Sequence, residues 1–243
     1  MARAEATAPE KGTPVGRRVF LGMVGLAAAG VAFGSKAQDW LEHALAPITA
    51  RDGTGLSTFL PVGRFRIYSV TGDLPGKNVA DYRLKVGGHV SQPLTLSYAD
   101  LQAMPPTDLN KDFQCVTGWR VHNVKWTGVR LGDLLNRAGL MPGAGGVEFQ
   151  SFDGEYTESL TMEQALRPDV IVAYSMEGKT VSREHGGPVR LYVSPMYGYK
   201  SCKWLDGINV VAGQPEPGYW EVRGYDVDGW VGKSNGRDDK PTS

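Results

Sequence analysis

Short runs in which apolar and polar residues alternate recur along the chain from residue 64 to residue 211. Alternation with a period of two sends successive side chains to opposite faces, so each run predicts a half-buried strand. Residues 170–176 are apolar almost throughout and predict a strand covered on both faces. The predicted strands are residues 64–70, 82–90, 112–117, 147–151, 156–160, 170–176, 189–193 and 203–211.

Between the strands, three segments have the spacing or the end signals of short helices. In one of them Leu131, Leu134 and Leu135 share a face, and Gly139 follows as a C-terminal cap. No internal repeat or linker interrupts residues 64–213, so the pattern predicts one α+β domain that is mixed and rich in strands. The predicted helices are residues 96–104, which begin with a serine cap, residues 129–138, and the single turn 162–166.

The N-terminal part of the chain has the layout of an export signal. Arg17 and Arg18 resemble the twin-arginine type and precede an apolar run over residues 19–34. This predicts an exported, extracytoplasmic protein. Because the run is shorter than the ~20 residues that span a bilayer comfortably, a cleaved signal and an uncleaved membrane anchor both stay open. The predicted organisation is a signal or anchor over residues 1–37, a linker with a short helix over 38–63, the domain over 64–213 and a C-terminal extension over 214–243.

The charge and cysteine content exclude some classes of function. The chain has 26 basic and 26 acidic residues, so it lacks the basic excess typical of proteins that bind nucleic acid. Two cysteines are too few for a disulfide scaffold. The sequence also has no Cys-x-x-Cys-His motif for haem attachment, so electrons for redox chemistry would have to come from a separate carrier.

Residues 112–119, Asp-Phe-Gln-Cys-Val-Thr-Gly-Trp, hold Cys115 at the end of a predicted strand. A cysteine in such a place is usually a buried, inert thiol. Here a second tryptophan follows in the tetrapeptide Trp-Thr-Gly-Val over residues 126–129, and then the leucine face of the predicted helix. This succession resembles the molybdenum-ligand segment of the sulfite-oxidase-like, molybdopterin-dependent oxidoreductases.

A second block carries the same resemblance. Residues 185–195 read His-Gly-Gly-Pro-Val-Arg-Leu-Tyr-Val-Ser-Pro, and residues 197–205 read Tyr-Gly-Tyr-Lys-Ser-Cys-Lys-Trp-Leu. The family has His or Asn followed by Gly-x-Pro-Val-Arg, then a strand, a proline, a glycine, a basic residue and a final Ser or Gly two residues before a lysine. The resemblance covers roughly residues 65–211. Within the family, the chain is most similar in type to the single-domain catalytic subunits of methionine-sulfoxide reductases.

The resemblance implies a molybdenum–molybdopterin cofactor, with Cys115 as the thiolate that binds the metal and acts in catalysis. A soft anionic ligand suits high-valent molybdenum beside the pterin dithiolene. Arg190 offers a planar fork for a phosphate or pterin oxygen, and Lys203 follows backbone N–H groups that suit a phosphate. The residues implied in cofactor binding are Tyr68, Ser69, Cys115, Ser151, His185, Arg190, Ser201, Cys202 and Lys203.

Several of these residues also have an ordinary structural interpretation. Arg190 could form a surface ion pair, His185 could be satisfied within its loop, and Lys203 could be a solvated strand residue. Cys202 is either a core thiol or a neighbour of the cofactor. A disulfide between Cys115 and Cys202 would remove the metal ligand, so we expect none in the loaded enzyme.

Polar residues near the two motifs are candidates for the open position of the metal. Arg120 and His122 follow the ligand segment, and Tyr197 and Lys200 lie in the Tyr-Gly-Tyr-Lys loop. Of these four, Arg120, Tyr197 and Lys200 form the predicted catalytic set together with the cysteine ligand. A cationic rim would suit an oxyanion substrate. Tyr197 and Tyr199 are equally compatible with a place in the core.

The reaction that the resemblance implies is two-electron oxygen-atom transfer, usually to or from sulfur. We expect reduction of an S-oxide or N-oxide, small or protein-bound, with electrons from a membrane cytochrome or quinone-linked partner. A sulfite dehydrogenase is the alternative within the same class. Sulfite enzymes usually carry a further C-terminal dimerisation domain, and this chain ends too early for one, which favours the reductase. A non-catalytic cofactor-binding protein is the alternative outside the class, and the intact Cys115 argues against it.

Overall fold

The computed structural model describes residues 65–233. The predicted export signal or anchor and the predicted short helix at residues 38–46 lie outside the described residues and stay predictions. Within residues 65–233, no helix is long and apolar enough to cross a membrane.

The described part of the chain is built mainly from short strands. In chain order these are β1 (Arg83–Gly88), β2 (Leu94–Ser97), β3 (Thr107–Gln114), β4 (Arg120–Arg130), β5 (Ala144–Ser151), β6 (Thr157–Thr161), β7 (Val170–Met176), β8 (Lys179–Thr180), β9 (Arg190–Val193) and β10 (Leu205–Ala212). The α-helices are α1 (Tyr98–Ala103), α2 (Leu131–Ala138) and α3 (Met162–Ala165), and single 3₁₀ turns cover Gly198–Lys200 and Glu221–Arg223.

These strands form two sheets. The first has the order β2-β1-β10-β5-β6, in which β1 and β10 run parallel and the other pairs run antiparallel. The second has the order β3-β4-β7-β8, with β9 also paired to β7, and all of its pairs are antiparallel. The last strand, β10, therefore lies at the centre of the first sheet, between strands from the start and the middle of the domain.

The helix α2 packs its leucine face into the main core. Leu131, Leu134 and Leu135 are all fully buried, as the helical spacing predicts, and Gly139 ends the helix with a left-handed backbone. A second core cluster is aromatic and includes Phe113, Trp119, Trp126 and Tyr192. This aromatic cluster lies under the candidate site, because Phe113 and Trp119 also line the cavity described below.

Three sequence predictions of local structure needed correction. Residues 65–69 form no strand, since their side chains pack on the aromatic cluster and line the cavity without a partner strand. The helix predicted to begin near residue 96 begins at Tyr98, because Ser97 caps it in a capping box with Asp100. The strand predicted over residues 112–117 is the end of β3, which stops one residue before Cys115.

Candidate active site

A cavity of about 390 Å³ brings most of the predicted site residues together, and its size is typical of a small-molecule site. Its wall includes the segment 65–70, the loop after β3 and the loops on both sides of β9. The residues predicted to bind the cofactor that line this wall are Tyr68, Ser69, Cys115, His185, Arg190, Ser201 and Lys203.

A tight loop after β3 holds Cys115 at the cavity wall. The Cys115 N–H donates to the carbonyl of Trp119 over 2.9 Å, and the Cys115 carbonyl accepts from the N–H of Gly118 over 3.0 Å. Gly118 has a φ of 102°, a conformation that favours glycine, so the glycine of the motif allows the loop to close. Cys115 is half-buried, and its Sγ lies 3.2 Å from the hydroxyl of Thr117.

Cys115 and Cys202 are both free thiols in this structure, and the expectation for the loaded enzyme stays a prediction. Cys202 is fully buried and does not line the cavity. Burial raises the pKa of the Cys202 thiol well above its ordinary value, which keeps this thiol neutral. Its position is that of the core thiol that the sequence left open as one alternative.

Arg190 begins β9 and is almost completely buried at the cavity wall. Its guanidinium donates to three carbonyls, those of Leu191 (3.2 Å), His185 (2.7 Å) and Ser201 (3.0 Å). It also lies over the ring of Trp126, 5.3 Å from the centroid. Burial lowers the pKa of Arg190 to about 10, so the group remains a cation at neutral pH. Arg190 is therefore a buried charge whose hydrogen bonds to His185 and Ser201 connect the loops before and after β9.

Lys203 and His185 lie beside this cation. Lys203 donates to the carbonyl of Tyr68, and its Nζ lies 4.2 Å from the ring centroid of Trp204. Burial, and then the charge of Arg190, lowers the pKa of Lys203 to about 7 and that of His185 to about 4. Among residues 65–233, neither Arg190 nor Lys203 forms an ion pair with a carboxylate. The charge of Asp153 acts on Lys203 in the opposite direction, so this side of the cavity combines one buried cation, Arg190, with an amine that titrates near pH 7 and a carboxylate.

The Ser201 and Ser69 hydroxyls have local partners. The Ser201 Oγ accepts from the N–H of Val193 over 3.0 Å, which fixes the loop after β9, and the Ser69 Oγ lies 3.0 Å from the hydroxyl of Thr71. Both residues line the cavity, so their predicted positions agree with the structure. Their role toward a cofactor stays a prediction.

Ser151 lies behind the wall, and the residue at the wall is Asp153. The Ser151 Oγ accepts from the N–H of Asp153 over 3.1 Å. One oxygen of Asp153, Oδ1, accepts from the N–H groups of Glu155 and Tyr156. The other, Oδ2, is buried without a hydrogen-bond partner in the described part of the chain. A buried carboxylate oxygen without a protein donor is open to a donor from a bound molecule or from water.

A sequence model of the oxidoreductase molybdopterin binding domain matches residues 71–220, more than half of the chain. The chain belongs to this family. The prediction of a molybdopterin-dependent oxidoreductase is thereby confirmed at the level of the family, and with it the molybdenum–molybdopterin cofactor that the family implies.

Relatives of this molybdopterin-binding chain include proteins named for different activities. It is 37% identical over 161 residues to the uncharacterized oxidoreductase YuiH of Bacillus subtilis, covering 65% of this chain and 80% of that protein. It is 31% identical over 182 residues to the sulfite oxidase of Arabidopsis thaliana (61% of this chain, 46% of that protein). It is 29% identical over 163 residues to the protein-methionine-sulfoxide reductase catalytic subunit MsrP of Xanthomonas axonopodis (60% and 49%). The chain thus spans about half the length of the last two relatives.

The crystal structure of the sulfane dehydrogenase SoxCD from Paracoccus pantotrophus is similar to this fold, with a TM-score of 0.54 and 25% sequence identity. The match covers 58% of this chain and 41% of that chain. The predicted fold, a single strand-rich α+β domain of the molybdopterin-binding type, is therefore confirmed.

Lys200 and Tyr197 do not lie where the sequence predicted them. Lys200 is fully buried and donates to Glu158 (2.5 Å), Glu221 (2.5 Å) and the carbonyl of Ser159 (2.8 Å). All three ammonium protons have protein acceptors, and the residue does not line the cavity. Tyr197 is also fully buried and does not line the cavity, although it packs in a cluster with Val116 and Tyr199, which do. The expectation that these two side chains face the open position of the metal was wrong, because both are part of the core.

Arg120 and His122 begin β4 and do not line the cavity either. His122 Nδ1 lies 2.8 Å from a carboxylate oxygen of Asp112, and Arg120 donates to the side chain of Gln114. Both are therefore engaged along the edge of the β3–β4 pair, and their catalytic role stays a prediction.

Sequence reasoning missed several aromatic residues of the wall. Tyr156 and Tyr199 line the cavity, as do Trp220 and Tyr225 from the C-terminal extension. Burial, and then the charge of Cys115, raises the pKa of Tyr225 above its ordinary value. Nothing in the local sequence pattern marked Trp220 or Tyr225.

Proposed function

We propose that this chain holds a molybdenum–molybdopterin group in the cavity and reduces an organic S-oxide or N-oxide. The observation that carries the proposal is the combination, on one cavity wall, of a half-buried thiol and two basic groups that form no ion pair, one of them buried and the other half-buried. Cys115 supplies the thiol, and Arg190 and Lys203 supply the basic groups. A ligand that uses both the thiol and the basic groups needs a metal that binds thiolate and an anionic group, and few ligands combine the two.

The residues present fit this group by their chemistry. A phosphate would pair with the buried charge of Arg190 and would favour the protonated form of Lys203. The orphaned Oδ2 of Asp153 would accept an N–H from a pterin ring. The Cys115 loop presents a soft sulfur ligand from a rigid turn. These three features suit the phosphate, the ring system and the metal, respectively.

When bound, the group supplies two-electron redox chemistry coupled to oxygen-atom transfer. In the overall reaction the sulfur–oxygen bond of the S-oxide breaks, two electrons and two protons are taken up, and the sulfide and water are released. The electrons come from a separate carrier, for which we propose a membrane-bound cytochrome or quinone-linked protein. The chain's own residues hold the group, exclude water through the aromatic wall and orient the substrate.

Support for the reductase comes from the relative MsrP, which is named as the catalytic subunit of a methionine-sulfoxide reductase. The similarity to the Arabidopsis sulfite oxidase supports the alternative, a sulfite dehydrogenase, because cationic wall residues also suit a small oxyanion. Both alternatives require the same cofactor, so turnover assays of one loaded protein with a sulfoxide and with sulfite distinguish them.

The test is metal and pterin analysis of purified protein, followed by turnover assays of the loaded enzyme with an artificial electron donor or acceptor. We expect stoichiometric molybdenum and pterin, and reduction of methionine sulfoxide faster than oxidation of sulfite. The variant Cys115→Ser should retain the fold and much of the pterin while losing activity, and Cys202→Ser is its matched control with near wild-type activity. Protein that binds neither molybdenum nor pterin, or a fully active Cys115→Ser variant, would overturn the proposal.

A further inference from the structure

The wall of the cavity includes three segments that are far apart in the sequence: β6 with the turn before it, the loop after β9 and the segment after β10. In each segment, neighbouring residues point in two directions. Some line the cavity, and a charged residue beside them is buried in the core. The charged residues are Glu158, Lys200 and Glu221, and their neighbours at the wall are Tyr156, Tyr199, Ser201 and Trp220.

The three charged side chains meet in one buried group, called the anchor cluster here. Nζ of Lys200 lies 2.5 Å from Oε1 of Glu158 and 2.5 Å from Oε1 of Glu221, and it donates to the carbonyl of Ser159 over 2.8 Å. The Oε2 atoms of both carboxylates are buried without a hydrogen-bond partner among residues 65–233. Within the same residues, neither carboxylate forms an ion pair with a second cation. Lys200 is therefore the cation that compensates both.

Stability alone does not account for the anchor cluster. Apolar side chains of the same volume often stabilise a core as well as a buried ion cluster does, because desolvation of the charges offsets most of their attraction. Charged hydrogen bonds add direction, since their short distances and preferred angles fix the partners relative to each other. Here the partners belong to three different wall segments, so the cluster fixes those segments relative to one another.

Hydrogen bonds and ring contacts beside the anchor cluster join the same segments. The Tyr156 hydroxyl donates to the carbonyl of Tyr199, which connects the turn before β6 to the loop after β9. The Tyr219 N–H donates to the carbonyl of Thr157 over 3.0 Å, which connects the segment after β10 to β6. The rings of Tyr156 and Tyr219 stack, with centroids 5.7 Å apart. A shift of one segment is therefore passed to the other two.

We propose that Glu158, Lys200 and Glu221 are positioning residues that hold three segments of the cavity wall in one fixed arrangement. Lys200 fixes the loop that carries Ser201 and Lys203, which are predicted cofactor contacts, and the two carboxylates fix the other segments to that loop. The loss of the cation should therefore disturb cofactor loading and ligand binding together. The proposal rests on the proposed function only for the identity of the group that fills the cavity.

The first test is amide hydrogen exchange of the loaded enzyme, measured by mass spectrometry, because exchange reports local opening. The N–H groups of Ser201, Tyr219 and Tyr225 are hydrogen-bonded within the wall segments and serve as reporters. Lys200→Met should raise exchange about 10-fold at all three. Glu221→Met should raise it at Tyr219 and Tyr225 alone, because the rest of the cluster stays paired. Unchanged exchange at the reporters in Lys200→Met would overturn the proposal.

Leu134→Ala is the control for a general loss of stability. Leu134 is fully buried in α2 and does not line the cavity. Its truncation should lower the urea midpoint about as much as Lys200→Met does, through a void in the core far from any charge. Exchange at Ser201 and Tyr225 should stay within about 2-fold of the wild type. An increase there equal to that of Lys200→Met would assign the effect to stability and contradict positioning by the cluster.

A triple variant, Glu158→Met/Lys200→Met/Glu221→Met, separates ionic contacts from packing. It replaces the anchor cluster by apolar side chains of similar volume, so its urea midpoint should return to near that of the wild type. Exchange in the wall segments should nevertheless stay raised, and the molybdenum and pterin content per chain should stay lowered, as in Lys200→Met. Wild-type exchange and loading in the triple variant would show that packing alone holds the wall, and the proposal would fail. If the triple variant does not fold, the comparison of Lys200→Met with Leu134→Ala decides.

Kinetics separates this proposal from the proposed function. KM and kcat are measured with the substrate that the wild type turns over, methionine sulfoxide or sulfite. Lys200→Met should raise KM about 5-fold and keep kcat per bound molybdenum within about 2-fold, because the cluster does not contact Cys115. An unchanged KM would contradict positioning. A wild type that oxidises sulfite alone, or that binds no molybdenum, would overturn the proposed function, while the exchange data would still decide the role of the anchor cluster.

Discussion

Nζ of Lys200 lies 2.5 Å from Oε1 of Glu221, and this buried ion pair joins the segment after β10 to the loop that follows β9. Glu158 completes the cluster at the same distance from the ammonium. All three side chains are essentially inaccessible to solvent. One cation with two carboxylates in such a place is stable only if each charge keeps its partner, and two predictions follow from this balance.

Replacing Lys200 by methionine should lower the free energy of unfolding by about 3–5 kcal/mol, because it leaves two buried carboxylates without their cation. Urea denaturation at pH 7 measures this. Lys179→Met is the matched control, since Lys179 is exposed on β8 and should change stability by less than about 0.5 kcal/mol. A loss of under about 1 kcal/mol in Lys200→Met would show that the cluster reorganises freely.

Glu158→Gln should flatten the dependence of stability on pH. Burial raises the pKa of Glu158 well above its ordinary value, although Lys200 opposes this. Since the folded state keeps a proton that the unfolded chain releases above about pH 4.5, stability falls as the pH rises from there toward the raised pKa. Glutamine carries no such proton, so the urea midpoint of the variant should change less between pH 5 and pH 8.

The control for Glu158→Gln is Glu155→Gln, which removes an exposed carboxylate from the neighbouring turn. Its urea midpoint should follow the wild-type pH dependence. A Glu158→Gln variant with the wild-type slope would mean that Glu158 is ionised in the folded protein.

Most of the fold was predictable because the signals were local. The apolar run of β7 matches its predicted bounds, Val170–Met176, and the buried face of α2 follows from the spacing of Leu131, Leu134 and Leu135. β4 was missed, because a strand over Arg120–Arg130 carries charged and polar residues on its exposed face and lacks clean alternation. Residues 65–69 alternate like a strand, but they pair with no other strand and contact the cavity and the aromatic cluster instead.

The site was predictable only where a motif described it. The motif residues Cys115, Arg190 and Lys203 do meet at one cavity. Lys200 was assigned to the site because its neighbours in sequence line the cavity. Only the fold shows that Lys200 forms ion pairs with Glu158 and Glu221, which come from distant segments. Trp220 and Tyr225 could not be found, since their place in the cavity wall depends on a long-range return of the chain that no local pattern encodes.

The apoprotein should bind inorganic sulfate, which does not titrate between pH 6 and pH 8, more tightly as the pH falls. The pKa of Lys203 is lowered to about 7 by burial and by Arg190. Because an anion prefers the protonated ammonium, the association constant should rise about 10-fold between pH 8 and pH 6. Calorimetry at each pH measures it, and Lys203→Met should remove the pH dependence while Lys179→Met retains it. A wild-type affinity that is constant over this range would contradict the lowered pKa.

Gly118→Ala should loosen the Cys115 loop. At a φ of 102°, alanine is strained, which should cost about 1–2 kcal/mol of stability or shift the turn that carries the thiol. We therefore expect both a lower urea midpoint and a lower molybdenum content per chain, measured by elemental analysis after identical loading. Gly87→Ala is the control, because a Cβ at Gly87 meets nothing within 4 Å and its φ is not positive. If Gly118→Ala lowers stability but loads molybdenum fully, the loop tolerates the shift, and the thiol position is set by β3 rather than by the turn.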